Sequence, residues 1–163
     1  IADILYEFKK CRETLVMPSL ENGLDKALYS TYLSYLPTDD FDYKLQDHSD
    51  QRGSFAEVFR SAQAGQFSFF TTMPGVVRGN HWHHTKVEKF IAVSGEAIIK
   101  LRRIDSDEII EYRVNGENPT VVDIPVGYTH SFVNSSETNT LVMLIWANEM
   151  YDPDRPDTYY LEV

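Results

Sequence analysis

The stretch His81-Trp82-His83-His84-Thr85-Lys86-Val87-Glu88 holds three of the five histidines of this chain beside a glutamate. His81 and His83 are two residues apart, and side chains at that spacing point to the same face of a β-strand. His130 belongs to a distant segment that a tight turn leads into a strand. A divalent transition metal binds three or four imidazole and carboxylate ligands held by a rigid frame. The sequence therefore predicts one metal site, formed by His81, His83, Glu88 and His130.

Length, composition and charge restrict the class of protein. The 163 residues are 42% hydrophobic, which is typical of one globular domain with a sizeable core. The longest apolar run, residues 141–147, is too short to span a membrane. The net charge of −10 argues against general nucleic-acid binding. The single Cys11 cannot form an internal disulfide, which predicts a reducing, cytoplasmic compartment.

The charge is distributed unevenly along the chain. Residues 52–103 carry eight basic and three acidic side chains, so this stretch is positive while the rest is strongly negative. A local positive field suits a small anionic ligand such as a phosphate or diphosphate. The sequence therefore predicts an anionic small molecule rather than a nucleic acid as the binding partner.

The character of the sequence changes near residue 40. Before it, hydrophobic side chains recur at helical spacing, which predicts two helices within residues 1–36, with Pro18 and Ser19 ending the first and capping the second. After it, we predict strands at about 54–61, 65–72, 76–84, 87–93, 96–104, 107–114, 119–124, 128–133, 140–147 and 157–162. Many short strands at regular spacing indicate an all-β sandwich or barrel. We expect a helical arm, residues 1–40, and a β domain, residues 41–163.

The histidine segments resemble the two sequence motifs of the cupin family. The pattern His-x-His-x4-Glu-x6-Gly is present from His81 to Gly95, and Pro-x-Gly-x2-His-x3-Asn is present from Pro125 to Asn134. The resemblance implies an antiparallel jelly-roll barrel with the metal inside.

A narrower resemblance concerns phosphate binding. Residues 50–57 are similar to the Asp-x-Arg-Gly-x-Phe-x-Glu segment of sugar-nucleotide 3,5-epimerases of the rhamnose pathway, and residues 75–81 resemble their Gly-Val-x-Arg-Gly-Leu-His segment. In that family two arginines hold the nucleotide diphosphate, a role that the resemblance assigns to Arg52 and Arg78. Those enzymes use a histidine base and a tyrosine acid without metal. Because Met143 stands about where the tyrosine would be, we expect a metal to replace its function.

The whole chain is similar to the C-terminal part of the CapF family of capsular polysaccharide synthesis enzymes, through residues 28–37, 78–86 and 146–159. That family joins an NADPH-dependent short-chain reductase to a zinc-binding cupin. The resemblance implies that residues 1–40 are the end of a reductase domain, otherwise missing here together with its NADP(H) site. It also implies that the cupin epimerises C3 of a UDP-2-acetamido-2,6-dideoxy-hexos-4-ulose, on the route to UDP-N-acetyl-L-fucosamine, before the reductase reduces C4.

These inferences combine into one hypothesis, a nucleotide-sugar isomerase. Zn²⁺ is expected to polarise the C4 carbonyl while a side chain moves the C3 proton. The candidates for proton transfer are Lys89, Tyr128 and His84, the last of which should point away from His83. Tyr151 is expected near the mouth of the pocket, as a substrate contact.

Two other functions fit the same ligand pattern. An iron-dependent cupin dioxygenase would use the same metal ligands. A non-catalytic cupin would serve for dimerisation or for binding a sugar nucleotide, and we expect a homodimer formed through the cupin domain. The arginines at 52 and 78 favour a phosphorylated substrate over the dioxygenase.

Overall fold

A computed structural model describes residues 1–163 and shows two short helices followed by two facing antiparallel sheets. The helices are α1 (Ala2–Thr14) and α2 (Gly23–Ser34), and a short 3-10 turn spans Thr38–Asp40. Neither helix is long and apolar enough to cross a membrane. The predicted cap at Ser19 is wrong: α2 begins later, and the Asn22 side chain accepts a hydrogen bond from the Asp25 backbone N–H at 2.7 Å.

The helical arm is tied to the β domain by its own core and by a short backbone pairing. Phe8 is buried and contacts the rings of Tyr29 and Tyr32 at centroid distances of 5.1 and 5.9 Å. Just after α1, the Leu15 carbonyl accepts a hydrogen bond from the Arg60 N–H at 2.8 Å. The arm therefore extends to the strand that carries Arg60.

The β domain contains eleven strands, and their order in the sheets places distant segments side by side. One sheet has the order β1-β2-β3-β10-β5-β8, and the other has the order β11-β4-β9-β6-β7. The strands are β1 (Asp47–Asp50), β2 (Gly53–Ser61), β3 (Gly65–Thr72), β4 (Val77–Trp82), β5 (Glu88–Ser94), β6 (Glu96–Arg103), β7 (Ile109–Asn115), β8 (Val121–Ile124), β9 (Tyr128–Asn134), β10 (Leu141–Ala147) and β11 (Tyr159–Tyr160).

The predicted all-β cupin barrel after a helical arm is confirmed. All ten predicted strands are present, and their ends differ from the prediction by at most two residues. The strand β1 was not predicted, because its sequence Asp-His-Ser-Asp is polar and every residue in it is exposed. Such a strand forms through backbone pairing with β2 alone and leaves no hydrophobic pattern in the sequence.

The apolar core lies between the two sheets and adjoins the predicted metal ligands. Twelve buried apolar residues from both sheets form one cluster. At its centre the Phe70 ring from β3 stacks on the Phe132 ring from β9 at a centroid distance of 4.8 Å. Phe90 contacts the edges of both rings and also meets the His130 ring at 5.6 Å. The apolar core thus reaches directly to one predicted metal ligand.

Candidate metal centre

The four predicted metal ligands meet between the two sheets. The group comprises His81, His83, Glu88 and His130, and their potential ligand atoms all lie within 4.8 Å of one another. β4 supplies His81 and leads into His83, β9 supplies His130, and β5 of the other sheet supplies Glu88. The fold therefore brings three imidazoles and one carboxylate together into a group that could hold a metal ion.

A β-bulge in β4 brings His81 into this group. Gly79 pairs with Ser131 and His81 pairs with His130, so Asn80 is an extra residue with no partner on β9. Gly79 and Asn80 have φ values of +100° and +59°, which a regular strand does not allow. Because of the inserted residue, Arg78 and His81 face the barrel interior although they are three positions apart.

The ligand atoms have the chemistry of a metal site rather than of a satisfied polar cluster. The Nε2 atoms of His83 and His130 and the Oε2 atom of Glu88 are buried and carry no hydrogen bond. Glu88 Oε2 lies 3.2 Å from His130 Nε2 and 3.4 Å from His83 Nε2. Buried polar atoms without partners are costly, and a divalent cation bound among them would satisfy all three at once.

The charge state of Glu88 also suits a metal ligand. Burial by itself would raise the pKa of this carboxyl group, but the adjacent His130 and His83 imidazoles outweigh it and hold the pKa well below its usual range. Glu88 is therefore an anion at neutral pH. A buried anion surrounded by three imidazoles matches the mixed nitrogen and oxygen donor set that zinc and similar ions bind.

A tail segment holds His83 in its orientation. The second ring nitrogen, Nδ1, lies 2.6 Å from the backbone carbonyl oxygen of Asp157 and donates a hydrogen bond to it. With the proton on Nδ1, the Nε2 lone pair is free to bind a metal. This contact joins residues 74 positions apart in the sequence.

The Asp157 side chain fixes the turn that follows His83. Its carboxylate accepts hydrogen bonds from the backbone N–H groups of His84, Thr85 and Lys86 at 2.9 to 3.2 Å. It also accepts a hydrogen bond from the Thr85 hydroxyl at 3.0 Å. Asp157 has a φ of +36°, so the tail adopts a strained backbone at the point where it contacts the ligand loop. Asp157 therefore orients the His83 ring through its backbone carbonyl and fixes the turn after His83 through its carboxylate.

A cavity of about 430 Å³ opens beside Glu88 on the inner surface of the larger sheet. This volume is within the range of ligand sites, about 300–1,000 Å³. It is lined by His48, Phe55, Glu57, Arg60, Gln66, Ser68, Lys86, Glu88, Ile145, Ala147, Glu149 and Tyr151. A larger groove of about 860 Å³ lies outside it, against the tail, and the two share Arg60, Glu149 and Tyr151. The smaller cavity is the one that reaches a predicted metal ligand.

Comparison with known proteins now assigns the fold to a family. The sequence pattern of the family described as "Polysaccharide biosynthesis C-terminal domain" matches residues 48–159, which include all four metal-ligand candidates. The chain belongs to this family.

Relatives of the family point to sugar-nucleotide enzymes. The chain is 46% identical over 163 residues to a UDP-2-acetamido-2,6-beta-L-arabino-hexul-4-ose reductase of Pseudomonas aeruginosa, covering all of this chain and 44% of that protein. It is 30% identical over 125 residues to a probable low-salt glycan biosynthesis epimerase, Agl13, of Haloferax volcanii, covering 69% of this chain and 80% of that protein.

A solved structure confirms the assignment. The capsular polysaccharide assembling protein CapF from Staphylococcus aureus superposes with a TM-score of 0.96 at 52% identity, over 99% of this chain and 44% of that protein. The predicted resemblance to the C-terminal cupin of the CapF family is thus confirmed. The chain spans less than half the length of CapF and of the Pseudomonas reductase.

Among the other residues predicted for the site, Tyr151 lies beside the cavity and Lys89 does not. Tyr151 lines the mouth, and its backbone N–H donates to Gln66 Oε1 at 2.9 Å. Lys89 follows Glu88 on β5 and therefore points to the outer face, where its ammonium forms an exposed ion pair with Asp123. The Lys89 ammonium group therefore lies away from the four candidate metal ligands.

Tyr128 and His84 also lie away from the cavity beside Glu88. Tyr128 shares the inner face of β9 with His130, but it packs against the apolar core and lines a separate groove with Arg103. His84 points outward, as predicted, and its ring contacts the rings of Trp82 and Tyr159 at centroid distances of 4.5 and 4.9 Å. Neither side chain contributes to the ligand group.

The two predicted phosphate-binding arginines differ in their surroundings. Arg78 is partly buried above the Phe70 ring, at 5.4 Å from its centroid, and donates to the Thr71 carbonyl at 3.2 Å. Burial, followed by the nearby charge of Arg52, lowers the pKa of Arg78. Arg52 is exposed and forms an ion pair with Asp50 at 2.6 Å. Besides burial, the pKa of Arg78 is lowered by the charge of Arg52 and raised by the Asp50 carboxylate, so both arginines share this acidic neighbour.

Three residues of the site were not predicted as functional: Asp157, Glu57 and Arg60. Asp157 lies in a polar tail without motif, and only the fold brings it to His83. Glu57 is the last residue of the Asp-x-Arg-Gly-x-Phe-x-Glu segment, so the signal that could have found it was already in the motif.

The pH dependence of stability tests the burial of the ligand group. Burial, aided by the charges of His130 and His83, lowers the pKa of His81 to about 4. In the unfolded chain the imidazole titrates near about 6.5. The unfolded chain therefore binds more protons within this window, so the free energy of unfolding of the metal-free protein falls as the pH decreases from about 6.5 to about 4.

We expect a decrease of about 2 kcal/mol between pH 7 and pH 4.5, measured by urea unfolding in the presence of a chelator. The low pKa of Glu88 contributes only below about pH 4.5, where that carboxylate begins to be protonated in the unfolded chain. A His81→Gln variant should show a smaller decrease. An identical decrease in both proteins would mean that His81 titrates normally in the folded state.

Proposed function

We propose that this chain catalyses the metal-dependent C3 epimerisation of a UDP-2-acetamido-2,6-dideoxy-hexos-4-ulose in capsular polysaccharide biosynthesis. In the full-length protein, an NADPH-dependent reductase domain would then reduce C4. The observation that supports this most is the buried, unpaired ligand group formed by His81, His83, Glu88 and His130, of which Glu88 also lines the adjoining cavity. The Pseudomonas relative is named for a UDP-2-acetamido-2,6-beta-L-arabino-hexul-4-ose, a sugar nucleotide whose ketone is at C4.

The chemical task is to remove a weakly acidic proton from the carbon next to a ketone. Negative charge develops on the carbonyl oxygen during this step, and stabilising it is the main catalytic requirement. A divalent metal, Zn²⁺ in this proposal, supplies a Lewis acid for the C4 carbonyl when bound by the four ligands. His83 is held for this purpose by Asp157, and the low pKa of His81 keeps its imidazole neutral and able to bind a cation at physiological pH.

The remaining parts of the substrate have candidate contacts in the cavity and outside it, since Tyr151 lines the cavity and Arg52 and Arg78 line neither the cavity nor the larger groove. Tyr151 at the mouth is proposed to contact the sugar, and Arg52 and Arg78 are proposed to bind the diphosphate. Of the three candidates for proton transfer, Lys89, Tyr128 and His84, none lines the cavity beside Glu88. The proposed reaction therefore needs a different residue, one that lines this cavity, to move the C3 proton.

Solvent deuterium exchange tests the proposed reaction directly. Incubation of the zinc-loaded protein with the 4-keto sugar nucleotide in D₂O should place deuterium at C3 and should yield the sugar with inverted C3. NMR or mass spectrometry measures both results. Zinc-loaded protein that binds the sugar nucleotide without exchange would indicate a non-catalytic cupin. Oxygen uptake by the iron-loaded protein, without C3 exchange, would instead indicate a dioxygenase.

Replacement of the two arginines tests the mode of substrate binding. We expect Arg52→Ala and Arg78→Ala each to raise KM for the sugar nucleotide about 10- to 100-fold, because each removes charge-assisted hydrogen bonds worth about 1.5–3 kcal/mol. The exchange kcat should change much less, since these groups are remote from C3. Arg113→Ala on the exposed face of β7 is the matched control for the loss of one positive charge. An unchanged KM in both site variants would place the diphosphate elsewhere.

A further inference from the structure

A second carboxyl group, that of Glu57, lies in the wall of the cavity that contains Glu88. Glu57 on β2 pairs with Ser68 on β3, Ser68 pairs with Ile145 on β10, and Ile145 pairs with Phe90 on β5. Glu88 lies two residues before Phe90 on the same face of that strand. Neighbouring strands are about 4.8 Å apart, so β2 and β5 are separated by roughly 14 Å at backbone level. Both carboxyl groups therefore project from the same inner surface into one cavity.

A bulge in β2 also directs Arg60 into this cavity. The pairing with β3 shifts between Glu57 and Phe59, so one extra residue is inserted, and Arg60 then pairs with Gln66. Glu57 and Arg60 consequently line the same cavity although they are three positions apart. Arg60 Nε lies 3.2 Å from Glu57 Oε1. Arg60 thus holds one side of the Glu57 carboxyl group.

The Glu57 carboxyl group is largely buried and free to accept a proton. Its side chain is 19% exposed, and its Oε1 atom, which is ion-paired with Arg60 Nε, forms no hydrogen bond. Burial raises its pKa, although the Arg60 charge partly opposes this. A carboxylate with a raised pKa and a free lone pair is suited to take a proton from carbon at near-neutral pH.

The other ionisable groups of the cavity are engaged elsewhere or exposed, and Tyr151 belongs to the exposed ones at 52%. Glu88 belongs to the metal-ligand group, and Lys86 Nζ donates to the Pro156 carbonyl and the Thr158 hydroxyl. The Glu149 carboxylate accepts a hydrogen bond from the Thr85 hydroxyl at 3.2 Å. His48 lies on the exposed edge strand β1. Glu57 is therefore the partly buried carboxyl group of this cavity that lies outside the metal-ligand group and accepts no hydrogen bond at Oε1.

We propose that Glu57 is the catalytic base that removes the C3 proton, with Arg60 as the residue that positions it. This inference rests on the proposed function. In the step, the C3–H bond breaks, the proton passes to a Glu57 oxygen, and the electron pair forms the C3–C4 double bond and leaves negative charge on the C4 oxygen. Water on the opposite, solvent-facing side then protonates C3, and the resulting hydroxide takes the proton from Glu57. The cycle inverts C3 and leaves the protein unchanged.

Two variants of Glu57 test this role. In the zinc-loaded chain, Glu57→Gln should lower kcat for C3 exchange in D₂O at least about 100-fold, the usual range for loss of a general base, while KM changes less than about threefold. Glu57→Asp should retain more activity than Glu57→Gln, because a carboxylate remains at a longer distance from C3. Zinc content and Tm are measured on each variant. Glu111→Gln on the exposed face of β7 removes a carboxylate outside the site and should leave the rate unchanged.

The pH profile separates a base from a structural anchor. The wild-type exchange rate should fall on the acid side as Glu57 becomes protonated, and this decrease should be absent from the residual rate of Glu57→Gln. The charged groups that face Glu57 in the cavity, and that influence where this decrease lies, are His48, Arg60, Lys86, Glu88 and Glu149.

The possible results distinguish this inference from the proposed function. Wild-type protein that does not exchange the C3 proton would overturn both. Normal wild-type exchange together with a Glu57→Gln rate within about threefold of it would overturn the role of Glu57 alone. A Glu57→Gln variant with a lower Tm, a higher KM and an unaltered pH profile would also overturn the role of Glu57 as the base. Such a result would mean that Glu57 contributes only a structural ion pair with Arg60.

Discussion

Replacing His81 and His130 together by alanine is expected to abolish metal binding and to lower C3 exchange at least about a thousandfold, equivalent to about 4 kcal/mol of transition-state stabilisation. The two residues are paired across β4 and β9, with ring centroids 4.6 Å apart, so the double variant removes one whole side of the ligand group. The remaining His83 and Glu88 are too few to retain a metal ion at micromolar concentration. Metal content by mass spectrometry and exchange by NMR measure the two effects.

His84→Ala is the matched control for metal content, because His84 is adjacent to the ligands in sequence but points outward. It should retain one equivalent of metal. Full metal content in the His81→Ala/His130→Ala variant would contradict the assignment of the ligands. Metal loss with a normal exchange rate would show that the ion stabilises the barrel and takes no part in the chemistry.

Replacing Asp157 by alanine is the second change for which a large effect is expected. The backbone carbonyl that holds His83 Nδ1 remains, but the carboxylate that anchors the turn through His84, Thr85 and Lys86 is lost. The His83 ring should then lose its fixed orientation. Loss of such outer contacts typically lowers metal affinity about 10–100-fold.

Competition with a chromogenic chelator measures the affinity of the Asp157→Ala variant, and thermal unfolding with and without zinc measures the coupling to stability. Asp154→Ala, in the same tail but with an exposed side chain, is the control. The same zinc affinity in both variants would mean that the ligand loop keeps its shape without the Asp157 carboxylate.

The metal group could be predicted from sequence because its signal is local. His81 and His83 alternate along one strand, and the motif around His130 has its own turn residues, so neither inference required the tertiary fold. The barrel could be predicted for a similar reason, since most strands bury one face and show it as alternating hydrophobicity. The polar strand β1 lacks that pattern and could not be predicted.

The rest of the site depends on contacts that sequence does not show. Asp157 reaches His83 across 74 residues, and a polar tail gives no hint of this. Glu57 and Arg60 are three residues apart, a spacing that places them on opposite faces of a regular strand; only the bulge in β2 puts both inside. Lys89 was predicted from the resemblance to the sugar-nucleotide 3,5-epimerases, yet the same alternation that turns Glu88 inward turns Lys89 outward.

The homodimer, the cytoplasmic location and the reductase domain with its NADP(H) site stay predictions, whereas the cupin fold and the membership of the polysaccharide biosynthesis C-terminal domain family are confirmed.

The bulge at Gly79 and Asn80 makes the inward orientation of His81 depend on two neighbouring residues at once. A side chain at Gly79 would place its Cβ 2.6 Å from the His130 carbonyl oxygen, so the bulged backbone requires glycine there. Without the bulge, continued pairing would set Asn80 opposite His130 and turn His81 and the residues after it to the other face. A shorter chain lacking Asn80 would pair regularly and would not need Gly79. The glycine and the inserted residue therefore depend on each other: Asn80 creates the bulge, and Gly79 is the residue that the bulged backbone accommodates.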